Sequence, residues 1–332
     1  MAARFSIEST ADPFWPGEVI TLADREALSW ARVVPDAGGN LVAFGAELAG
    51  RSFETFLQPT DERPSLAPAQ YGAPVLYPFP NRLRAGQAAF GGRAIRVDRP
   101  AGQPHAIHGL VREKRWQVIE RRAAADGALL RCAVESDPDT LRQFPFPFRL
   151  ELAFHLRGTV LRVEAVGQNT GADPMPMGFG WHPYFRLPLV AGTERARTEV
   201  RVPARRQWQL DPTLVPTGEI IPVPADRDFR TRRPIGSVYL DDVYTDLERD
   251  DGHSVCELRD PATGLRLRVS AGPTFREWVV YAPPTRPTIC FEPYTCPTDA
   301  FNLAARGRDV GLIVLGAGER WSDWMELAVE LS

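Results

Sequence analysis

Residues 148–166 constrain most strongly what this chain can fold into. Leu150, Leu152, Phe154 and Leu156 alternate with Arg149, Glu151, Ala153 and His155. A period of two gives a strand one apolar and one polar face, whereas a helix would scatter these residues around its circumference. Arg157 and Gly158 turn the chain and residues 160–166 run back, which predicts an antiparallel sheet with one wet face. His155 falls on that wet face and takes no role in a site. Elsewhere, short apolar runs at 28–34, 41–44 and 53–57 alternate with turn residues. Gly91 and Gly92 turn a hairpin over 87–97, and Asp126 and Gly127 turn another. Residues 58–73 read as a loop. No stretch of residues 19–57 holds a 3.6-residue period over ten positions. The 31 prolines agree, because proline is excluded from helix interiors and tolerated at turns and strand edges. The expectation is all-β: one large antiparallel β-sandwich over residues 1–332.

Charge and cysteine usage remove several classes of function. The net charge is −3 with both signs interspersed, so neither a nucleic-acid footprint nor a basic membrane patch is expected. Lys114 is the only lysine and lies in the charged run 112–115, which leaves no candidate for Schiff-base chemistry. Cys132, Cys256, Cys290 and Cys296 form no CxxC pair and no metal spacing, so free thiols are expected and no metal or cofactor. Residues 1–8 lack the apolar core of a signal peptide, and no apolar run could span a bilayer. A soluble, cytoplasmic protein is the simplest expectation.

The residues that can carry chemistry stand at strand ends beside glycine, proline or aromatic side chains. In 288–302, Thr288, Ile289, Cys290 and Phe291 read as the end of a buried strand, and Glu292 then meets Pro293 at a loop mouth. Burial disfavours carboxylate charge, which would tune Glu292 as a base near neutrality. After Pro74 to Pro80, Asn81 and Arg82 project polar heads from a rigid approach, and arginine offers planar donors to hydroxyls or a ring oxygen. His108 precedes Gly109, which permits close approach. His182 lies among Gly180, Trp181, Tyr184 and Phe185, and an imidazole trades protons near neutrality with little tuning. Asp241 and Asp242 share a strand-like run, so period two turns one of them inward. Taken singly, each also fits a structural role: a strand-end carboxylate, a capping loop pair, a core histidine, a solvated turn. Together they lack a nucleophilic Ser or Cys motif and a phosphate-cradling loop. An acid and a base without metal or nucleotide suit proton transfer on a polar small molecule, and the Arg, Asp, His and aromatic lining suits a sugar.

With those residues in hand, the chain resembles the aldose 1-epimerase (galactose mutarotase) family. The likeness runs through Pro80, Asn81 and Arg82, then Ile107 to Gly109, Gly180 to Phe185, Asp241, residues 292–302 and the closing 318–324. It implies a large β-sandwich, an open sugar cleft and no cofactor. It also implies that Glu292 removes the anomeric hydroxyl proton and His182 protonates the ring oxygen. Arg82, His108 and Asp241 would bind the sugar with Asn81, and His105 has no implied role. Glu292 and His182 are expected far enough apart to hold a pyranose ring between them. Three alternatives stay open: a non-catalytic sugar-binding sandwich, a glycosidase using Asp241 and Glu292, and an epimerase of a hexose 6-phosphate. Arg84, Arg112, Arg115 and Arg186 are the cations available for the last.

Overall fold

The computed structural model describes residues 3–59 and 67–332, so the middle of the loop expected over 58–73 lies outside the described residues. The alternating segment forms two long strands, Phe148–Arg157 and Val160–Asn169, paired antiparallel from Phe148↔Asn169 to Arg157↔Val160. Leu150, Leu152, Phe154 and Leu156 are all buried, each contributing about 1.5–3 kcal/mol of apolar burial. Replacing Leu152 by alanine would cost about 2–5 kcal/mol through the cavity left behind.

These strands sit in a nine-stranded sheet whose order is Gln117–Ala124, Gly127–Glu135, Phe148–Arg157, Val160–Asn169, Arg320–Leu331, Leu265–Ala271, Ser254–Arg259, Glu199–Arg201 and Arg233–Pro234. An eight-stranded sheet is built around Thr288–Tyr294, flanked by Glu277–Ala282 on one side and by the short strands Gly180–Trp181 and Tyr184–Arg186 on the other. Leu240–Leu247 pairs next to Glu277–Ala282. A five-stranded meander over residues 5–54 completes the main layers. One apolar core joins all three, with Leu152, Val163 and Leu327 from the first sheet, Trp278, Val280 and Phe291 from the second, and Leu22, Val33 and Phe44 from the meander. The fold is therefore the expected antiparallel β-sandwich.

Two six-residue α-helices, Pro138–Gln143 and Ala300–Ala305, interrupt the β pattern. The first has a readable start: the Asp137 carboxylate accepts from the Thr140 amide at 2.8 Å, and Pro138 occupies a first-turn position where no amide is needed. The second is too short to show a period and forms the far end of the 288–302 stretch. Among the described residues no helix is long and apolar enough to cross a membrane.

Candidate active site

The site begins with a gap in a ladder. Gly180 pairs with Tyr294, and Tyr184 pairs with Cys290, on opposite ends of the central strand Thr288–Tyr294. Between them the register carries His182 to the position facing Glu292. Pro293 has no amide hydrogen to give and Pro183 none either, so the backbone pairing lapses there and the two side chains meet instead. His182 Nε2 lies 3.3 Å from Glu292 Oε1. Glu292 Oε2 accepts a short hydrogen bond from the Tyr294 hydroxyl.

Two expectations are corrected by this geometry. Glu292 is inside a central strand, two residues short of its end, rather than at a loop mouth. The pair is also in contact, not separated by the width of a sugar ring.

His182 is held by rings. Tyr184 stacks on it at 4.4 Å with 16° between planes, and His108 meets it edge-on at 5.1 Å. Its backbone amide donates to the Pro74 carbonyl at 3.0 Å. His108 sits beyond a two-stranded ribbon, Arg82–Leu83 against Ala106–Ile107. Its amide donates to the Asn81 carbonyl at 2.8 Å, and both residues adopt left-handed backbone, φ 67° and 54°. Non-glycine residues seldom adopt that conformation, and asparagine tolerates it best among them. Gly109 is required, because a Cβ there would stand 2.3 Å from the Tyr77 carbonyl oxygen. The Asn81 side-chain oxygen accepts from an Arg82 guanidinium nitrogen at 2.9 Å, which aims the arginine along the cleft.

The paired aspartates divide as period two demands. Asp241 lines the cleft and accepts from the Tyr239 hydroxyl at 3.3 Å. Asp242 turns to the other face, where one guanidinium nitrogen of Arg227 holds both its oxygens, at 2.6 and 2.7 Å. Glu292, His182, His108, Arg82, Asn81 and Asp241 thus share one cleft of about 270 Å³, a volume suited to a monosaccharide. His155 instead bonds the Asp126 carbonyl, and His253 lies in the 250–253 turn.

Sequence reasoning missed Gln70, Tyr239, Tyr281 and Arg286, which also line the cleft. Tyr239 was within reach, since it shares the face of Asp241 two residues away. Tyr281 reaches the site by pairing with Cys290 and Asp241 across neighbouring strands, which a single sequence does not reveal. His105, given no role, accepts from the Ala85 amide at 3.1 Å and contacts the Thr213 hydroxyl at 2.9 Å.

Burial drives both members of the central pair toward their neutral forms. It pushes the Glu292 carboxyl well above the usual range, assisted by the negative Asp241 and opposed by the Tyr294 hydroxyl and Arg82. It pushes His182 down to about 3, so this imidazole is heavily tuned, contrary to the expectation from its sequence setting. Burial also holds His108 well below ordinary histidine values, and a charge on His182 would lower it further. These two shifts favour the state in which the pair carries one proton in all. Glu292, His182 and Cys290 together offer three donor atoms to a cation, a property taken up below.

The aldose 1-epimerase family model matches residues 18–328, and the chain belongs to that family. Relatives include the uncharacterized Escherichia coli K12 proteins YihR and YphB. YihR is 25% identical over 289 residues, 86% of this chain and 87% of its own. YphB is 24% identical over 264 residues, 77% and 82% respectively. A galactose mutarotase-like protein from Clostridium acetobutylicum superposes with a TM-score of 0.87 at 21% identity, over 99% of each chain. A galactose 1-epimerase from Lactobacillus acidophilus gives 0.76 at 18% identity, over the full length of both. At these identities the superpositions establish the shared fold.

Proposed function

We propose that this protein is a cofactor-independent aldose 1-epimerase in which Glu292 is the general base and His182 the general acid. The observation that carries the reading is the contact pair His182–Glu292 facing a cleft lined by Asn81, Arg82, His108 and Asp241. At rest burial favours the shared proton on Glu292; turnover proceeds from the form in which it sits on His182, and the Tyr294 hydroxyl and Arg82 favour the carboxylate that results. Glu292 takes the proton of the anomeric hydroxyl as the C1–O1 bond becomes a carbonyl. The C1–O5 electron pair goes to the ring oxygen, which His182 protonates. Rotation about C1–C2 and reclosure on the other face, with proton roles reversed, gives the opposite anomer and returns the proton to His182. Arg82, His108 and Asp241 hold hydroxyls through both states, and the aromatic walls of Tyr184 and Tyr281 exclude water. Polarimetry of freshly dissolved α-anomers across a panel of aldoses tests this: catalysed approach to the equilibrium rotation is expected, and a rate equal to the buffer rate for every sugar contradicts it.

A second substrate class has its own support. The cleft opens into a wider hollow of about 740 Å³ lined by Arg82, Arg112, His105 and His108 and by no carboxylate among the described residues. Such a lining favours an anionic substituent such as the phosphate of a hexose 6-phosphate. Arg84 and Arg115 do not line this hollow and pair instead with Asp211 at 2.8 Å and Asp36 at 2.9 Å, while Arg112, which does line it, pairs with Glu113 at 3.2 Å. Including aldose 6-phosphates in the panel decides between the two, because a phosphosugar enzyme turns them over at the higher kcat/KM.

A further inference from the structure

Cys290 is two residues before Glu292 on the central strand, so both side chains leave the same face. Tyr184 on one neighbouring strand and Tyr281 on the other both pair with Cys290, and both line the cleft. The thiol therefore lies beneath the cleft beside the His182–Glu292 pair, fully buried. One donor atom each from His182, Cys290 and Glu292 lie within 4.8 Å of one another. Some point therefore lies within about 2.8 Å of all three atoms, and small side-chain rotations bring the distances to the roughly 2.0–2.3 Å of zinc bonds. His182 Nδ1 is buried without a hydrogen-bond partner among the described residues, so none of them fixes which ring nitrogen keeps its lone pair.

We propose that His182, Cys290 and Glu292 form a site for a single thiophilic divalent cation of the Zn²⁺ class, whose binding shuts the cleft's acid–base chemistry off. Thiolate, imidazole and carboxylate are a zinc-type donor set, whereas Mg²⁺ and Ca²⁺ call for oxygen ligands throughout. Two of the donors, His182 and Glu292, line the cleft, so water can reach the cation from that side to complete the coordination. A bound cation occupies the lone pairs of His182 and Glu292 that would otherwise handle sugar protons. Binding expels two protons to solvent, the thiol's and the one the His182–Glu292 pair holds, so occupancy rises with pH. The inhibitory consequence rests on the proposed epimerase activity; the cation site itself does not.

The test is calorimetric titration of the purified protein with Zn²⁺ and, separately, Mg²⁺, alongside the optical spectrum of the Co²⁺ adduct. Cys290→Ser and Cys290→Ala are treated identically, so that one folded variant suffices. Neither touches the sugar in the proposed mechanism, and both are expected to keep zinc-free mutarotation. Wild type is expected to bind one Zn²⁺, to ignore Mg²⁺ and to show a thiolate-to-cobalt charge-transfer band. The variants should lack that band, bind Zn²⁺ more than about 10-fold more weakly and resist zinc inhibition. Equal Zn²⁺ affinity in wild type and variants, or no stoichiometric binding to wild type, overturns the proposal. If the protein proves inactive on every sugar while Cys290-dependent binding remains, the epimerase reading falls and the cation site stands.

Discussion

Two glutamates on adjacent strands show what makes a buried carboxyl reactive. Glu277 pairs with Tyr294 and Glu292 with Val279, and Glu277 and Val279 are two residues apart, so both carboxyls leave the same face of the sheet. Both are buried, and burial raises both, Glu277 to about 8 and Glu292 well above the ordinary carboxyl range. They differ in company. Glu277 lies beside Thr245 and Trp208, away from the cleft, and its Oε2 has no hydrogen-bond partner. Glu292 has the Tyr294 hydroxyl on one oxygen, His182 on the other and the cleft in front. Burial alone stores a proton; burial beside a base that can carry it lets the proton move. The break at His182 and Pro183, between the strands Gly180–Trp181 and Tyr184–Arg186, supplies that base.

The sharpest way to break this comparison is to neutralise each glutamate in turn. Glu292→Gln should slow mutarotation by roughly 10²–10⁴ with the fold intact by circular dichroism, since general base catalysis is worth that much. Glu277→Gln should leave turnover unchanged. Equal losses in the two variants would mean that position near the cleft is irrelevant.

Next in size is the split between His182 and the residues that hold the sugar. His182→Asn should lower kcat by roughly 10²-fold with KM little altered, because proton donation acts mainly in the transition state. Arg82→Ala and His108→Asn should raise KM and lower kcat together, each by about 10-fold, because hydroxyl contacts exist in both states. Steady-state kinetics that show the same affinity-type loss in all three would refute the division of roles.

The smallest effect concerns stability. Glu277 has a folded pKa of about 8, above the ordinary 4.5. Its stabilising contribution is complete below pH 4.5 and is lost as pH rises toward 8, where the unfolded chain ionises and the folded one resists. Glu277→Gln does not titrate. It should gain about 1–3 kcal/mol relative to wild type at pH 8 and nothing at pH 4 in urea denaturation. A gain independent of pH would mean that packing, not ionisation, sets its cost.

Much of this architecture was legible because strands announce themselves by alternation. Leu150 to Leu156 gave their face directly, and Gly91–Gly92 sits between Gln87–Phe90 and Arg93–Arg96 as a hairpin turn should. The helix Pro138–Gln143 was signalled by Asp137 and Pro138 but is too short to repeat a period. The cleft residues Asn81, Arg82, His108, His182, Asp241 and Glu292 were each readable as polar groups set in rigid surroundings. Their convergence was legible only through the family likeness, because it depends on strand order. Contact between His182 and Glu292, 110 residues apart, depends on register across a ladder interrupted by Pro183 and Pro293. The extreme tuning of His182 depends on Tyr184 and His108 packing around it, which no local composition encodes.

The central claim is that Glu292 and His182 work as a buried pair holding one proton between them, and the pH dependence of kcat tests it most directly. With His182 held near 3, no second proton enters the pair at histidine's ordinary 6.5, and burial raises the pH at which Glu292 gives up the proton that remains. The predicted profile is flat through that value, falling on the acid side only as pH approaches about 3, when a second proton enters the pair. A kcat that instead declines with rising pH, half lost near 6.5, would make His182 an ordinary imidazolium acting alone and contradict the shared-proton account.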